Sequence, residues 1–284
     1  MINMIKADLF RMIRSKSIYI IIAVMLTMAI VSVATKTPGT IANANYESME
    51  EMDMIYEIAE EENTNDLSSV LSKLDSKRSD EQKKEYSLKV IGSNMNLYYL
   101  IVFIVYGVLA ADLSNKTIKN TLTSISGRKK YFFSKLIFIL GSSTLLILLN
   151  TLTFYGINMI VNGEKYSVSL GRMLEATLMQ LPMLLGLTAL LTFIVYLVKS
   201  GAWYNSISLL GIILFQTVLL MLNSLLKCKA ITTYLEKYEA QSAIFKLAVH
   251  PEISHTVICC IIGIGMFLVS VIASYYIFKK AEIN

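Results

Sequence analysis

The sequence predicts an all-α integral membrane protein. Its six transmembrane helices are joined by an N-terminal interfacial elbow helix, a helical extracellular insertion after the first span, and amphipathic outer helices before the last. Three observations carry this. Hydrophobic residues make up 55% of the 284 positions, above the roughly 45–50% usual in a soluble domain. Mean hydropathy is +0.56. Charge is also segregated: the long apolar runs hold almost none and the connectors nearly all, which suits helices that cross a hydrocarbon core of about 30 Å.

The formal charge of +5 therefore says little about nucleic acid. The bases cluster at the ends of apolar runs, where they set topology. Cys228, Cys259 and Cys260 offer no disulfide framework.

Residues 1–16 form the elbow. Ile2, Ile5, Leu9, Met12 and Ile13 recur at helical spacing, with Lys6, Asp8, Arg11 and Arg14 between them. Such a helix lies in the membrane interface; the plainer alternative is a basic flank of the first span. The first span is 17–34. It exceeds a usual signal core, and no clear small-residue cleavage site follows it, so it reads as a retained anchor.

Residues 35–92 are the extracellular insertion, rich in Glu and Asp. Met49, Met52, Ile55, Tyr56 and Ala59 share one helical face, and Leu67, Val70, Leu71 and Leu74 another. Ser79-Asp80-Glu81-Gln82 has capping-box spacing and starts a third helix that runs toward the next span. A flexible acidic loop is the alternative.

Residues 93–278 carry spans two to six: 96–111, 136–161, 173–198, 206–226 and 257–278. Pro182 is a candidate kink. Residues 227–256 are an outer re-entrant segment, in which Ile231, Tyr234, Leu235, Tyr238, Ile244, Phe245 and Leu247 give a face that lies on or dips into the outer leaflet. Residues 279–284 are a cytoplasmic tail. The basic clusters at the N-terminus and at Arg128 to Lys130 share one face. The Lys/Arg bias places that face, with both termini, in the cytoplasm, although Lys227, Lys229, Lys237 and Lys246 balance it on the other side.

No acidic or basic residue lies in the middle of a span, which disfavours a gradient-driven carrier. Asn150, Asn158, Gln180, Gln216 and Asn223 are the polar candidates for a translocation path, or for helix–helix hydrogen bonds. No GxxxxGK[ST] loop occurs, so the chain is not expected to be an ATPase itself. His250, Glu252, His255 and Cys259 are too loosely patterned for a structural metal site, and no metal is expected.

The segment 112–135 is the most informative loop. In Thr117-Ile118-Lys119-Asn120-Thr121-Leu122, Ile118 and Leu122 fall on one side of a short helix, and Ser126-Gly127 breaks it before Arg128-Lys129-Lys130. A short amphipathic helix held between two spans can act as a lever; a solvated basic turn is the plain alternative. These residues, with Ile125-Ser126-Gly127-Arg128, Ser134-Lys135 and the elbow Lys6 to Lys16, resemble a permease subunit of the type-2 exporter (ABC-2) branch of ATP-binding-cassette transporters of Gram-positive bacteria. Lys116, where the family often has Gly, and Gly127, inserted before the Arg, depart from the pattern.

The resemblance implies a membrane-spanning permease subunit that forms the path as a dimer with a second, same or similar permease in a bacterial plasma membrane. It implies separate ABC ATPase subunits holding ATP and Mg, with no cofactor in this chain. Coupling would run through Lys6, Arg11, Asn115, Thr117, Ile118, Lys119, Asn120, Leu122, Ile125 and Arg128. The substrate expected of an exporter of this kind is an amphipathic peptide, antibiotic or lipid-like compound. A membrane sensor or immunity scaffold, binding ligand through the acidic extracellular segment, is the alternative of a different class.

Overall fold

Long apolar runs in this chain become long helices, because a helix satisfies its backbone groups internally where lipid offers no partners. The computed structural model describes residues 2–35, 86–115, 118, 127–163, 167–211, 238–249 and 251–280. Among these every element is helical. In chain order they are α1 (Ile2–Arg14), α2 (Lys16–Thr35), α3 (Tyr86–Ser114), α4 (Arg128–Asn162), α5 (Leu170–Val198), α6 (201–211), α7 (Ala240–Val249) and α8 (Ile253–Lys280).

Five of these are long and apolar enough to cross a membrane: α2, α3, α4, α5 and α8. The expected insertion helices before residue 86 and most of the expected fifth span lie outside the described residues; α6 covers the start of that span. The described spans outrun their expected limits. Helix α3 begins ten residues before 96, and α4 begins at Arg128 rather than 136. Apolar length marks only the stretch that lipid demands, whereas helix continues while packing and backbone bonding support it.

Helices α3, α4 and α5 form the inner group, and α2 and α8 leave most of their surface uncovered. Helix α8 packs chiefly on α5. Glycine makes that crossing possible. A Cβ on Gly263 would stand 2.6 Å from the carbonyl carbon and oxygen of Pro182, and one on Gly186 would stand 2.6 Å from the Gly263 carbonyl. Two backbones this close gain dispersion contacts, the main attraction between helices in lipid. The close approach lies at Pro182, within α5.

Two ends can be distinguished. At the first end lie α1, the C-terminal ends of α3, α5 and α8 and the start of α4, tied by Arg11 to Asp112 and by Arg128 to the Lys279 carbonyl. The N-terminal helix α1 and the C-terminal end of α8 thus lie at the same end. At the second end lies α7. The sequence suggests an outer re-entrant segment here, its amphipathic face lying on or dipping into the outer leaflet. In the structure Ser242 to Phe245 and Leu247 to Val249 are buried, and α7 packs on α5 and on the 3-10 turn Ser93–Asn96 of α3. Its insertion depends on Gly92, where a Cβ would meet the Phe245 ring at 2.6 Å.

Gly263→Leu should therefore separate α8 from α5. The expected cost is at the upper end of the roughly 1–3 kcal/mol for overpacking, read as a lower melting temperature of the detergent-solubilised protein. Gly265→Leu, whose Cβ meets nothing within 4 Å, should be nearly neutral.

Candidate functional site

At the first end, one ion-pair network joins three helices. Asp8 is on the face of α1 turned toward the bundle and is buried, one turn from Arg11. Asp112 is in the last turn of α3, and Lys135 lies two turns inside α4; both are buried. Lys135 Nζ stands 2.6 Å from Asp8 Oδ1 and 2.7 Å from Asp112 Oδ2. Arg11 Nη1 donates to Asp112 Oδ1 at 2.5 Å, and its Nη2 lies 3.3 Å from Asp8 Oδ1. Two carboxylates and two cations thus alternate, each touching both partners of opposite sign. Burial works against the Arg11 charge, but the Asp112 hydrogen bond and the Asp112 and Asp8 charges outweigh it and raise the guanidinium pKa.

A backbone irregularity completes the site. Residues Tyr106–Ala110 of α3 form a π turn, in which the Ala111 N–H reaches back five residues to the Tyr106 carbonyl. Such a slip re-aims carbonyls away from the regular ladder. Val108 O accepts from Arg11 Nη2 at 3.1 Å and from Lys135 Nζ at 3.1 Å, and Gly107 O accepts from Arg11 at 3.4 Å. The Tyr131 hydroxyl donates to Asp112 Oδ2 at 3.3 Å. An aromatic cluster continues from there: the Phe132 ring contacts Tyr196 of α5 and both Tyr275 and Phe278 of α8. Charge pairing and ring packing together hold α1, α3, α4, α5 and α8 at one end.

A second polar centre lies deeper. Asn150 Nδ2 donates to Asn94 Oδ1 at 3.1 Å, Asn94 Nδ2 donates to Gln180 Oε1 at 2.9 Å, and Gln180 Nε2 donates to the Ile91 and Ile244 carbonyls at 3.1 and 2.8 Å. This chain of amides runs from α4 through α3 and α5 to the inserted α7. Toward the second end, Asn158 accepts from Asn162 and donates to Ser167, at 2.8 and 2.6 Å. Gln180 and Asn158 are fully buried in these bonds, while Asn150 is half-buried. Gln216 and Asn223 lie outside the described residues.

The coupling candidates divide in the same way. Lys6 and Asn115 are exposed, and Arg11 is committed to the ion-pair network. Arg128, also exposed, donates to the Lys279 carbonyl at 2.8 Å. Ile118 is only 2% exposed and belongs to the core cluster. Thr117, Lys119, Asn120, Leu122 and Ile125 lie outside the described residues. Near the second end, the Tyr238 ring stacks on His255, and His255 Nε2 lies 3.4 Å from Cys259 Sγ. Among the described residues no group of three or more His, Cys, Asp or Glu is placed to hold a metal.

Sequence reasoning named Arg11 but passed over Asp8, Asp112 and Lys135 as a set. The available signal was that each is a lone charge on an otherwise apolar helical face or run. Ionisable groups so placed are expected to pair.

Lys135→Met should leave Asp8 and Asp112 without their buried shared cation, with only the exposed Arg11 still touching both. Breaking a buried pair this way costs about 3–5 kcal/mol, to be read by thermal unfolding in detergent. Lys130→Met, at an exposed site, should change stability by about 0.5 kcal/mol or less. Comparison of the chain with protein-family models, with curated proteins and with solved structures returns no match.

Proposed function

We propose that this chain is the permease subunit of an ATP-driven exporter of the ABC-2 type, driven by separate ATPase subunits docked at the first end. The observation that carries this reading is the network of Asp8, Arg11, Asp112 and Lys135. It fastens an interfacial helix rigidly to two spans, on either side of the loop 112–135. A motor pushing on α1 or on that loop would move α3 and α4 together, because the contacts between them are short and charged, and those of Lys135 are buried.

The placement of charge supports the same reading. Lys6, Arg14, Lys16, Arg128, Lys129, Lys130, Lys199, Lys279 and Lys280 are all exposed at the first end, while both described carboxylates there are buried in the network. Lys/Arg enrichment at span ends favours the cytoplasmic side, so the first end is the cytoplasmic one and α7 enters from outside. The fifth span of the proposed layout would run on from α6. In this reading two copies, or this chain and a similar one, enclose the path.

Ile118 is packed in the core, so a charge placed there would damage folding rather than report on docking. Lys6→Glu with Asn115→Trp changes two exposed positions and spares the network. A mild-detergent purification from native cells should bring down an ABC ATPase in near-equal amount. The double variant should insert normally yet recover about tenfold less of it, as expected for loss of an interface hot spot. Repeated absence of any ATPase from intact, folded wild-type protein would overturn the permease reading.

A further inference from the structure

A cavity of ≈ 370 Å³ opens between α2, α3 and α4. Its wall is mostly apolar, with Val24 and Met28 of α2, Leu97 of α3 and Phe154 of α4. Set into that wall are Asn94, Asn96 and Asn150. Ligand sites commonly have this size and this balance, an apolar lining with a few convergent polar groups.

Two of these amides keep unused hydrogen-bonding groups among the described residues. Asn94 is satisfied on both sides by Gln180 and Asn150. Asn150 spends its Nδ2 on Asn94, and its Oδ1 accepts nothing among the described residues. The Asn96 side chain, half-buried at the cavity, makes no hydrogen bond among them. Asn150 stands about 33 Å along a helix of about 52 Å, within a hydrocarbon core of about 30 Å centred on that helix. An unpaired amide at such a depth costs free energy until something pairs with it.

We infer that this cavity binds an uncharged, single-chain amphiphile. Its acyl chain lies along α2, its ester or amide carbonyl accepts from Asn96, and its hydroxyl donates to Asn150 Oδ1. Three features select this class. No Asp, Glu, Lys or Arg lines the cavity, so a charged headgroup would find no counter-ion there. Among the described residues the unused groups are the Asn96 amide, the Asn150 Oδ1 acceptor and, farther along α2, the Ser32 hydroxyl; the first two match a carbonyl beside a hydroxyl. Helix α2 leaves most of its surface uncovered, so an amphiphile reaches the cavity sideways from the bilayer. Occupancy would also be felt at a distance, since Asn150 begins the amide chain that ends on the Ile244 carbonyl of α7.

The site goes beyond the permease reading and does not depend on an ATPase, so the two can fail separately. The test uses the purified full chain in phosphatidylcholine nanodiscs, without any ATPase, and a monoacylglycerol carrying a diazirine in its acyl chain. After illumination, adducts should concentrate on Val24–Ser32 and Asn150–Phe154 and be competed by unlabelled monoacylglycerol. Asn96→Leu removes an amide that makes no hydrogen bond among the described residues, and Thr27→Trp fills the mouth from an exposed position on α2. Each should lower adduct yield there by about fivefold or more, as loss of a buried hydrogen bond implies, while labelling on the open face of α8 stays unchanged. Even labelling of α2 and α8, indifferent to both variants, would overturn the inference. So would equal labelling by a diazirine fatty acid or a diazirine phosphatidylcholine, because the site would then not select an uncharged head.

Discussion

The constraint on which the first end of this molecule depends is that three charges, Asp8, Asp112 and Lys135, must leave water together, with the exposed Arg11 closing the network at its rim. A lone carboxylate or ammonium in a low-dielectric setting costs several kcal/mol. Asp8, Asp112 and Lys135 avoid this only in concert, and Arg11 adds a second cation that touches both carboxylates from the exposed side. That requirement fixes where α1 lies, how α3 ends and how far α4 reaches past the apolar core. It also explains the π turn, since Arg11 and Lys135 have hydrogens left after the carboxylates are served and Val108 accepts from both. Such a network is weak as a source of stability and strong as a specifier of geometry, because its alternatives leave a charge unpaired. A rigid, specific joint is what a coupling element needs.

Away from that end the packing is of a different kind. Lipid tails are as apolar as leucine, so burial of apolar surface does not drive helices together. The bundle relies on close backbone approach and on shared amides. Gly186 and Gly263 bring α5 and α8 into backbone contact, a crossing between two different helices that a search for GxxxG within one helix cannot find. Gly92 admits Phe245, and Gln180 caps the Ile244 carbonyl, so α7 sits inside the bundle with a carbonyl satisfied. Polar backbone at such a depth is tolerated where protein rather than lipid surrounds it.

What the sequence made legible follows from the same physics. Apolar length marked each of the five described candidate spans, since hydrocarbon thickness sets that length directly. The amphipathic α1 was visible from Ile5, Leu9 and Met12, because one face must meet apolar surroundings. Less legible were the features that need a partner distant in sequence. Asp8 and Lys135 are 127 positions apart, and nothing local tells a pairing charge from a topology signal. The apolar face of Ile244, Phe245 and Leu247 was legible, but not that protein covers it, because an amphipathic stripe looks the same whether lipid or protein lies against it. Asn150, Asn158 and Gln180 were recognisable as polar groups needing partners, but only the structure separates Gln180 and Asn158, sealed among helices, from Asn150 at a cavity wall.

The ion-pair network holds α1 rigidly against α3 and α4. The most direct measurement is the distance distribution between spin labels at Lys6→Cys on α1 and Lys199→Cys beyond α5, with the three native cysteines replaced. The labelled protein would be compared in nanodiscs with and without Lys135→Met. A single narrow distribution that broadens or splits when Lys135 is lost is the predicted result. Equally narrow distributions in both would show that α1 is held by other contacts and would contradict the account.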